Sequence, residues 1–284
     1  MQKLIVILAL LLVFFVFLGI YLPKSFTSDK EVFFNIEKGE GSKEIALNLE
    51  KEGLVQWGPL FRIYVFAKGV SGNLQAGTYL LSPSMNIPEI AGKFSKGDIA
   101  KIKITLPEGF TSEQIYQKLI DVAEIDLNEL KSFEGYLFPD TYQIPYGAKE
   151  EEIVKMMVDN FNKKITPDLE TEIKRQNKNL EEIVIMASLL EKEVKTKEEK
   201  ELAADVLWKR LKIGMPLQVD SAMETYERRG LPEHPICNPG LESIKAAIYP
   251  GSSEYWYYLA TPEGKTIFSK TLEEHNLIKA KYLK

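Results

Sequence analysis

The chain has 284 residues, 45% hydrophobic and 27% charged, with a formal net charge of -5. That length and balance describe a folded protein with room for two extramembrane domains and exclude a disordered one. Lys and Arg total 36 against 41 Asp and Glu, with no dense basic block, so no nucleic-acid partner is expected. The single cysteine, Cys237, excludes an intramolecular disulfide. The two histidines, His234 and His275, stand outside any HExxH or Cys/His cluster, and no P-loop or strand-linked GxGxxG occurs. No metal and no cofactor is expected on these grounds.

In chain order, residues 4–22 carry no charge, about the ~20 residues needed to cross a bilayer core. The run is long for a signal peptide and lacks a small-x-small cleavage pattern before Lys24, so it reads as an uncleaved anchor. Residues 1–3, with Lys3, lie on one side of it and Lys24 and Lys30 on the other, with 23–30 a tether. From Glu31 the pattern becomes that of a water-soluble fold. It predicts a strand over 32–36, a helix over 42–51 capped by Ser42, a helix over 59–68, a strand over 77–81, a helix opening on the Asn86/Glu89 capping box, and a strand over 100–106. Ile36, Gly39, Ser42, Ile45 and Leu49 recur as Leu106, Gly109, Ser112, Ile115 and Leu119. Strand, Gly turn and capped helix form one unit used twice.

Further helices are predicted over 111–121, 126–133, 149–162, 168–176, 180–194 and 197–212, the last with Leu202, Val206, Trp208 and Leu211 facing inward. Residues 133–142 form an aromatic-rich loop. Its rings, Tyr136 among them, suit a sugar face or a satellite core equally. Residues 215–221 alternate like a strand, with Gln218 and Asp220 on one side. A Pro/Gly loop over 230–240, a helix over 241–248, a hairpin over 256–268 and a capped helix from Thr271 to about Tyr282 complete the chain.

The stretch 183–194 is the centre of this pattern. It is almost wholly apolar until Glu191 and Glu193. Val184, Ala187, Glu191 and Val194 share one helical stripe. A carboxyl group between apolar neighbours is hard to ionise, which suits a general acid. Glu193 lines up with Met186, Leu189 and Leu190, so periodicity does not choose between the two glutamates.

Several segments together resemble the MltG (YceG-like) endolytic murein transglycosylase family. They are Glu134 to Tyr142 (EGYLFPDTY), Ala187 to Glu193 (ASLLEKE), Arg210 to Asp220 (RLKIGMPLQVD), Ile236 to Gly240 with Ser243 to Ala247, and Phe268 to Thr271 with Glu274 to Asn276. The resemblance implies an α+β protein. Its parts are an amino-terminal transmembrane helix, a small LysM-like module over 31–100 and a larger catalytic domain over 101–284. It implies a single-pass protein of the inner, cytoplasmic membrane with its catalytic domain outside. Its activity would cut MurNAc-β-1,4-GlcNAc bonds inside nascent glycan strands, leaving 1,6-anhydroMurNAc ends, with peptidoglycan synthases as partners.

The resemblance places the catalytic acid on the first glutamate of the triplet, Glu191. Gln218, Asp220, Tyr136, Asn238 and Glu193 are the substrate-binding candidates, with Asn238 also suited to capping the turn before Pro239. The chain departs from the family between Asp220 and Gly230, where it is short and reads Met223-Glu224-Thr225-Tyr226, and at Pro232-Glu233-His234. A wall-binding scaffold and a hydrolytic muramidase are the competing readings.

Overall fold

The computed structural model describes residues 2–28, 30–120 and 126–283. The chain forms two compact units, Met1–Ile102 with Ile144–Gly147, and Lys103–Gln143 with Ala148–Lys284.

The smaller unit begins with α1 (Gln2–Tyr21), a helix long and apolar enough to cross a membrane. Next come β1 (Val32–Ile36), α2 (Ser42–Lys51), α3 (Gly58–Ala67), β2 (Gly77–Leu81) and α4 (Ile87–Lys96). β1 and β2 are antiparallel, with Phe34 opposite Tyr79. Alternate residues Phe34, Ile36, Tyr79 and Leu81 point inward, as the two-residue period of a strand requires. The Phe94 ring gathers Phe34, Phe61 and Tyr79 around it. The expected capping box opens α4, where Asn86 Oδ1 accepts from Glu89 N at 2.9 Å. Gly41, rather than Ser42, holds the cap position of α2.

The larger unit carries most of β3 (Lys101–Thr105) and β4 (Thr141–Pro145), which pair as a two-stranded sheet. Between them lie α5 (Ser112–Leu119), with Thr111 as its cap, and α6 (Leu127–Ser132). The far end of the helix expected to reach Asp121 lies outside the described residues. Then follow α7 (Glu150–Lys164), α8 (Pro167–Arg175), α9 (Leu180–Glu193), α10 (Lys197–Lys212), α11 (Glu224–Glu227) and α12 (Leu241–Ile248). The hairpin β5 (Tyr257–Ala260) and β6 (Thr266–Ser269) leads into α13 (Leu272–Tyr282).

Helix α9 is the axis of this unit. Every residue from Ile183 to Leu190 is buried, because α8, α10 and α12 pack against it. A helix apolar on all faces is stable in water only when enclosed.

One expectation fails here and another holds only in part. Residues 215–221 are not a strand. Gln218 takes φ +54°, which breaks the alternation, and Val219 N donates to Thr225 Oγ1 at 2.8 Å. The Leu217 carbonyl accepts from Arg210 Nη1 at 2.7 Å, so the segment folds back on its neighbours instead of joining a sheet. In α10 the expectation is met only in part: Val206 is buried and Trp208 and Leu211 pack part-buried against the core, but the buried face also takes in the cations Lys200 and Arg210, which hydropathy does not point to.

Candidate active site

Helix α9 ends by delivering two carboxylates to different surroundings. Glu191 lies in its last turn, with a side chain only 9% exposed, facing Lys200 at 4%. Lys200 Nζ stands 3.3 Å from Oε1. Gly240 N donates to Oε2 at 2.9 Å and Ser243 Oγ at 2.6 Å. Gly240 is the cap position of α12 and has no side chain to cap it, so Glu191 fills that role from another helix. A carboxylate at a helix amino terminus is favoured by the free N–H groups and the dipole there. The apolar stripe of Val184, Ala187 and Val194 is indeed buried, but the Glu191 carboxylate itself rests among three donors. Glu108 crowds the same corner. A Cβ on Gly240 would lie 2.0 Å from its Oε1, so a larger residue there would displace the Glu108 carboxyl. Burial, then the neighbouring Glu191, push the Glu108 carboxyl upward.

Glu193 is the final residue of α9 and lines a cavity of about 320 Å³. Gln218, Asp220 and Tyr226 from the 217–226 turn, Arg210 of α10, Tyr257 and Tyr258 of β5, and His275 and Asn276 of α13 share it. Ser221 donates to Glu193 Oε1 through its N–H at 3.1 Å and its hydroxyl at 2.8 Å. Burial pushes the Glu193 carboxyl up, the Ser221 hydrogen bonds pull against it, and Asp220 adds to the rise. The end of a helix, where the dipole disfavours negative charge, acts in the same direction. Asp220 accepts a short hydrogen bond from the Tyr226 hydroxyl, whose pKa is pushed up to about 12 by burial and then by Asp220.

Arg210 donates from Nε to the Trp256 carbonyl at 2.8 Å and stacks over the Tyr257 ring at 5.0 Å. The Tyr258 hydroxyl and His275 Nδ1 are buried without a hydrogen-bond partner among the described residues. Burial, then the nearby Glu193, push Tyr258 well above the usual tyrosine value. Burial, then Lys279, hold His275 below the usual imidazole range.

The two glutamates therefore stand in different surroundings. Glu191 sits in a closed polar cluster, while Glu193 faces space large enough for a ligand. The cavity also brings together Gln218 and Asp220, as expected of them, although no strand carries them. Asn238 is 1% exposed, and its amide is wholly committed to the protein. Oδ1 accepts from Gly135 N and Leu137 N at 2.8 and 2.9 Å, and Nδ2 donates to the Phe110 carbonyl and to Glu134 Oε1 at 3.0 and 2.8 Å. It ties three loops together and has nothing left for a sugar.

Tyr136 packs edge-on against Phe161, 5.1 Å between centroids, and Leu137, Phe138 and Tyr142 are buried, so the aromatic loop is core. Gly135 (φ +90°) belongs there because a Cβ would meet Pro235 at 2.6 Å. Arg210, Ser221, Tyr226 and Tyr258 were not singled out from the sequence. The one available signal was a charged residue on the inner stripe of α10. Among the described residues no cluster of His, Cys, Asp and Glu suits a metal ion.

The chain belongs to the YceG-like family, whose sequence model matches residues 34–224 and 221–281. It is 31% identical to a protein of Bacillus subtilis (strain 168) named endolytic murein transglycosylase, over 92% of this chain and 87% of that one. A protein of the same name from Streptococcus pneumoniae serotype 2 is 28% identical over 90% of this chain, which spans 59% of its length. The crystal structure of a YceG-like protein from Listeria monocytogenes superposes with a TM-score of 0.55 at 28% identity, covering 88% of this chain and 99% of that one.

Proposed function

We propose that the protein is an endolytic murein transglycosylase, cutting within peptidoglycan glycan strands, and that Glu193 is its acid–base residue. The observation that carries the assignment is the meeting of a half-buried, upward-shifted carboxyl with the 320 Å³ cavity. A general acid needs a proton near neutral pH and access to the leaving oxygen. Protonated Glu193 donates to the oxygen of the MurNAc-GlcNAc bond as that bond breaks and positive charge develops at C1. The resulting carboxylate takes the proton of the same sugar's C6 hydroxyl as this oxygen bonds to C1. The products are a 1,6-anhydroMurNAc end and a GlcNAc 4-hydroxyl, with no water consumed. The nucleophile is already part of the substrate, so its approach costs little entropy. Ser221 holds the carboxylate in place, and Gln218, Asp220 and Asn276 face the cavity as hydrogen-bonding groups for sugar hydroxyls and the acetamido group.

Asp220 in the same cavity favours one competing chemistry, hydrolysis by a second carboxylate. Mass spectrometry of the products from uncrosslinked strands separates the two, because hydrolysis leaves a reducing end heavier by one water. Anhydro ends from the wild type, lost in Glu193→Gln and kept in Glu191→Gln, are the expected result. Loss in Glu191→Gln alone would return the role to Glu191. Binding without any cutting would mark a scaffold.

In this reading α1 anchors the chain in the cytoplasmic membrane. The packing of Ile20 into the core of the smaller unit supports retention of the helix, because cleavage would open that core. The small strand–helix–helix–strand unit is the LysM-like part and holds glycan near the membrane, beside the synthases that extend it.

A further inference from the structure

The end of α1 is not a free stalk. Ile20 is buried in the core of the smaller unit and Val16 packs against it. A Cβ on Gly19 would lie 2.5 Å from Leu60 Cδ1, so the backbone of α1 lies directly on α3. The apolar run ends at Leu22, and Val16 lies about 9 Å deeper along the axis at a helical rise of about 1.5 Å per residue. The zone between hydrocarbon and water is of similar depth, about 5–8 Å per leaflet. Gly19, where Leu60 touches α1, is only about 4.5 Å inside the end of the run. If α1 spans a bilayer, the touching part of α3 therefore sits at the boundary between hydrocarbon and headgroups, not above it.

The side chains flanking that contact are apolar and bare. Trp57 and Ile63 stand one turn before and one turn after Leu60 and are 53% and 48% exposed. Phe66, a turn beyond Ile63, is 82% exposed. Ile63 and Phe66, about 60° apart around the helix axis, share one face of α3, and neighbouring exposed apolar side chains mark a contact surface, with aromatic rings favoured at the membrane interface.

We propose that α3 is a second membrane contact, with Ile63 and Phe66 inserted into the outer leaflet beside α1. The unit is thereby held flat on the membrane by two helices instead of swinging on one. This rests on the reading of α1 as an uncleaved anchor.

The test uses the full chain reconstituted in phosphatidylethanolamine and phosphatidylglycerol vesicles. Phe66→Cys and Leu12→Cys are each labelled with bimane, since the native Cys237 is buried and out of reach of the reagent. Lipids spin-labelled near the headgroup should quench the label on Phe66→Cys, and lipids labelled deep in the chain should quench that on Leu12→Cys. Iodide in the water should reach neither.

If the Leu12→Cys label is quenched while the Phe66→Cys label responds only to iodide, α3 faces solvent and the proposal is overturned with the anchor intact. If the Phe66→Cys label is shielded from lipid and iodide alike, another protein surface covers α3, and the proposal is again overturned. If neither label is quenched by lipid, the anchor reading fails first and the proposal with it.

Discussion

Glu191 and Glu193 stand on the same turn of α9, yet one is clamped by Lys200 at 3.3 Å and the other by Ser221 at 2.8 Å, in separate environments. Two positions along a helix are about 200° apart around its axis. One carboxylate therefore turns toward α10 and α12, and the other toward the open cavity. In the proposed reading, that rotation separates a structural role for Glu191 from a chemical one for Glu193.

Substitution should separate those roles. Glu193→Gln should lose about 10²–10⁴-fold in turnover, the usual worth of acid–base catalysis, and still fold. Glu191→Ala leaves Lys200 buried without its partner, which costs about 3–5 kcal/mol. Strand-cleavage assays together with denaturant unfolding of each purified variant read both effects.

The pH dependence follows from burial of Glu193. Its carboxyl is raised in the folded chain, so the protonated donor persists above the usual carboxylate range, and activity falls as pH rises through the raised value. The same shift acts on stability. Its contribution is fully present below the unfolded carboxylate value and is lost as pH rises through the folded one. Glu193→Gln mimics the protonated state and keeps that contribution. Its unfolding temperature should therefore gain on the wild type as pH rises above the usual carboxylate range, which a thermal-melt series records.

The Tyr258 hydroxyl is buried beside Glu193 with no well-formed hydrogen bond among the described residues, though near enough to help hold the Glu193 carboxyl down. An unpaired buried polar group costs about 1–3 kcal/mol, a cost carried where a substrate or the newly formed carboxylate can accept its proton. Tyr258→Phe should match or exceed wild-type stability while turnover falls about tenfold, equivalent to about 1.4 kcal/mol. A variant that loses stability and activity together would make Tyr258 merely structural.

Asn238 differs from both. Its amide makes four hydrogen bonds to the loops around Phe110 and Gly135. Asn238→Ala leaves several buried groups unpaired at about 1–3 kcal/mol each, so folded yield and unfolding midpoint should drop sharply. Any protein recovered should retain its glycan affinity more than its rate.

Gln218 holds a left-handed backbone, φ +54°, which costs a non-glycine residue about 1–2 kcal/mol. Gln218→Gly should be neutral or stabilising in a thermal melt. It should also raise the KM for glycan strands, because the side chain facing the cavity is gone.

Much of the architecture was legible in the chain. The apolar run of α1, the capping boxes at Asn86 and Thr271, and the fully apolar core of α9 depend on local periodicity and hydrogen bonding, which nearby residues determine. So did the repeated strand–turn–helix pattern, now seen as β1 with α2 and β3 with α5. The family followed from short segments in order.

What the sequence could not decide was which glutamate meets the cavity. Both fit the helical period, and the apolar stripe beneath Glu191 implied a dry setting. Only the packing of α12 and α10 brought Gly240, Ser243 and Lys200 onto that carboxylate. The same holds for buried Arg210 and for the turn at Gln218. A cation is buried, or a residue leaves its strand, when distant groups satisfy it, here the carbonyls of Trp256 and Leu217 and the backbone and hydroxyl of Thr225. Local sequence determines which elements form; the partners that pay the desolvation cost of charged and polar groups come from elsewhere in the chain, and those partners decide the site.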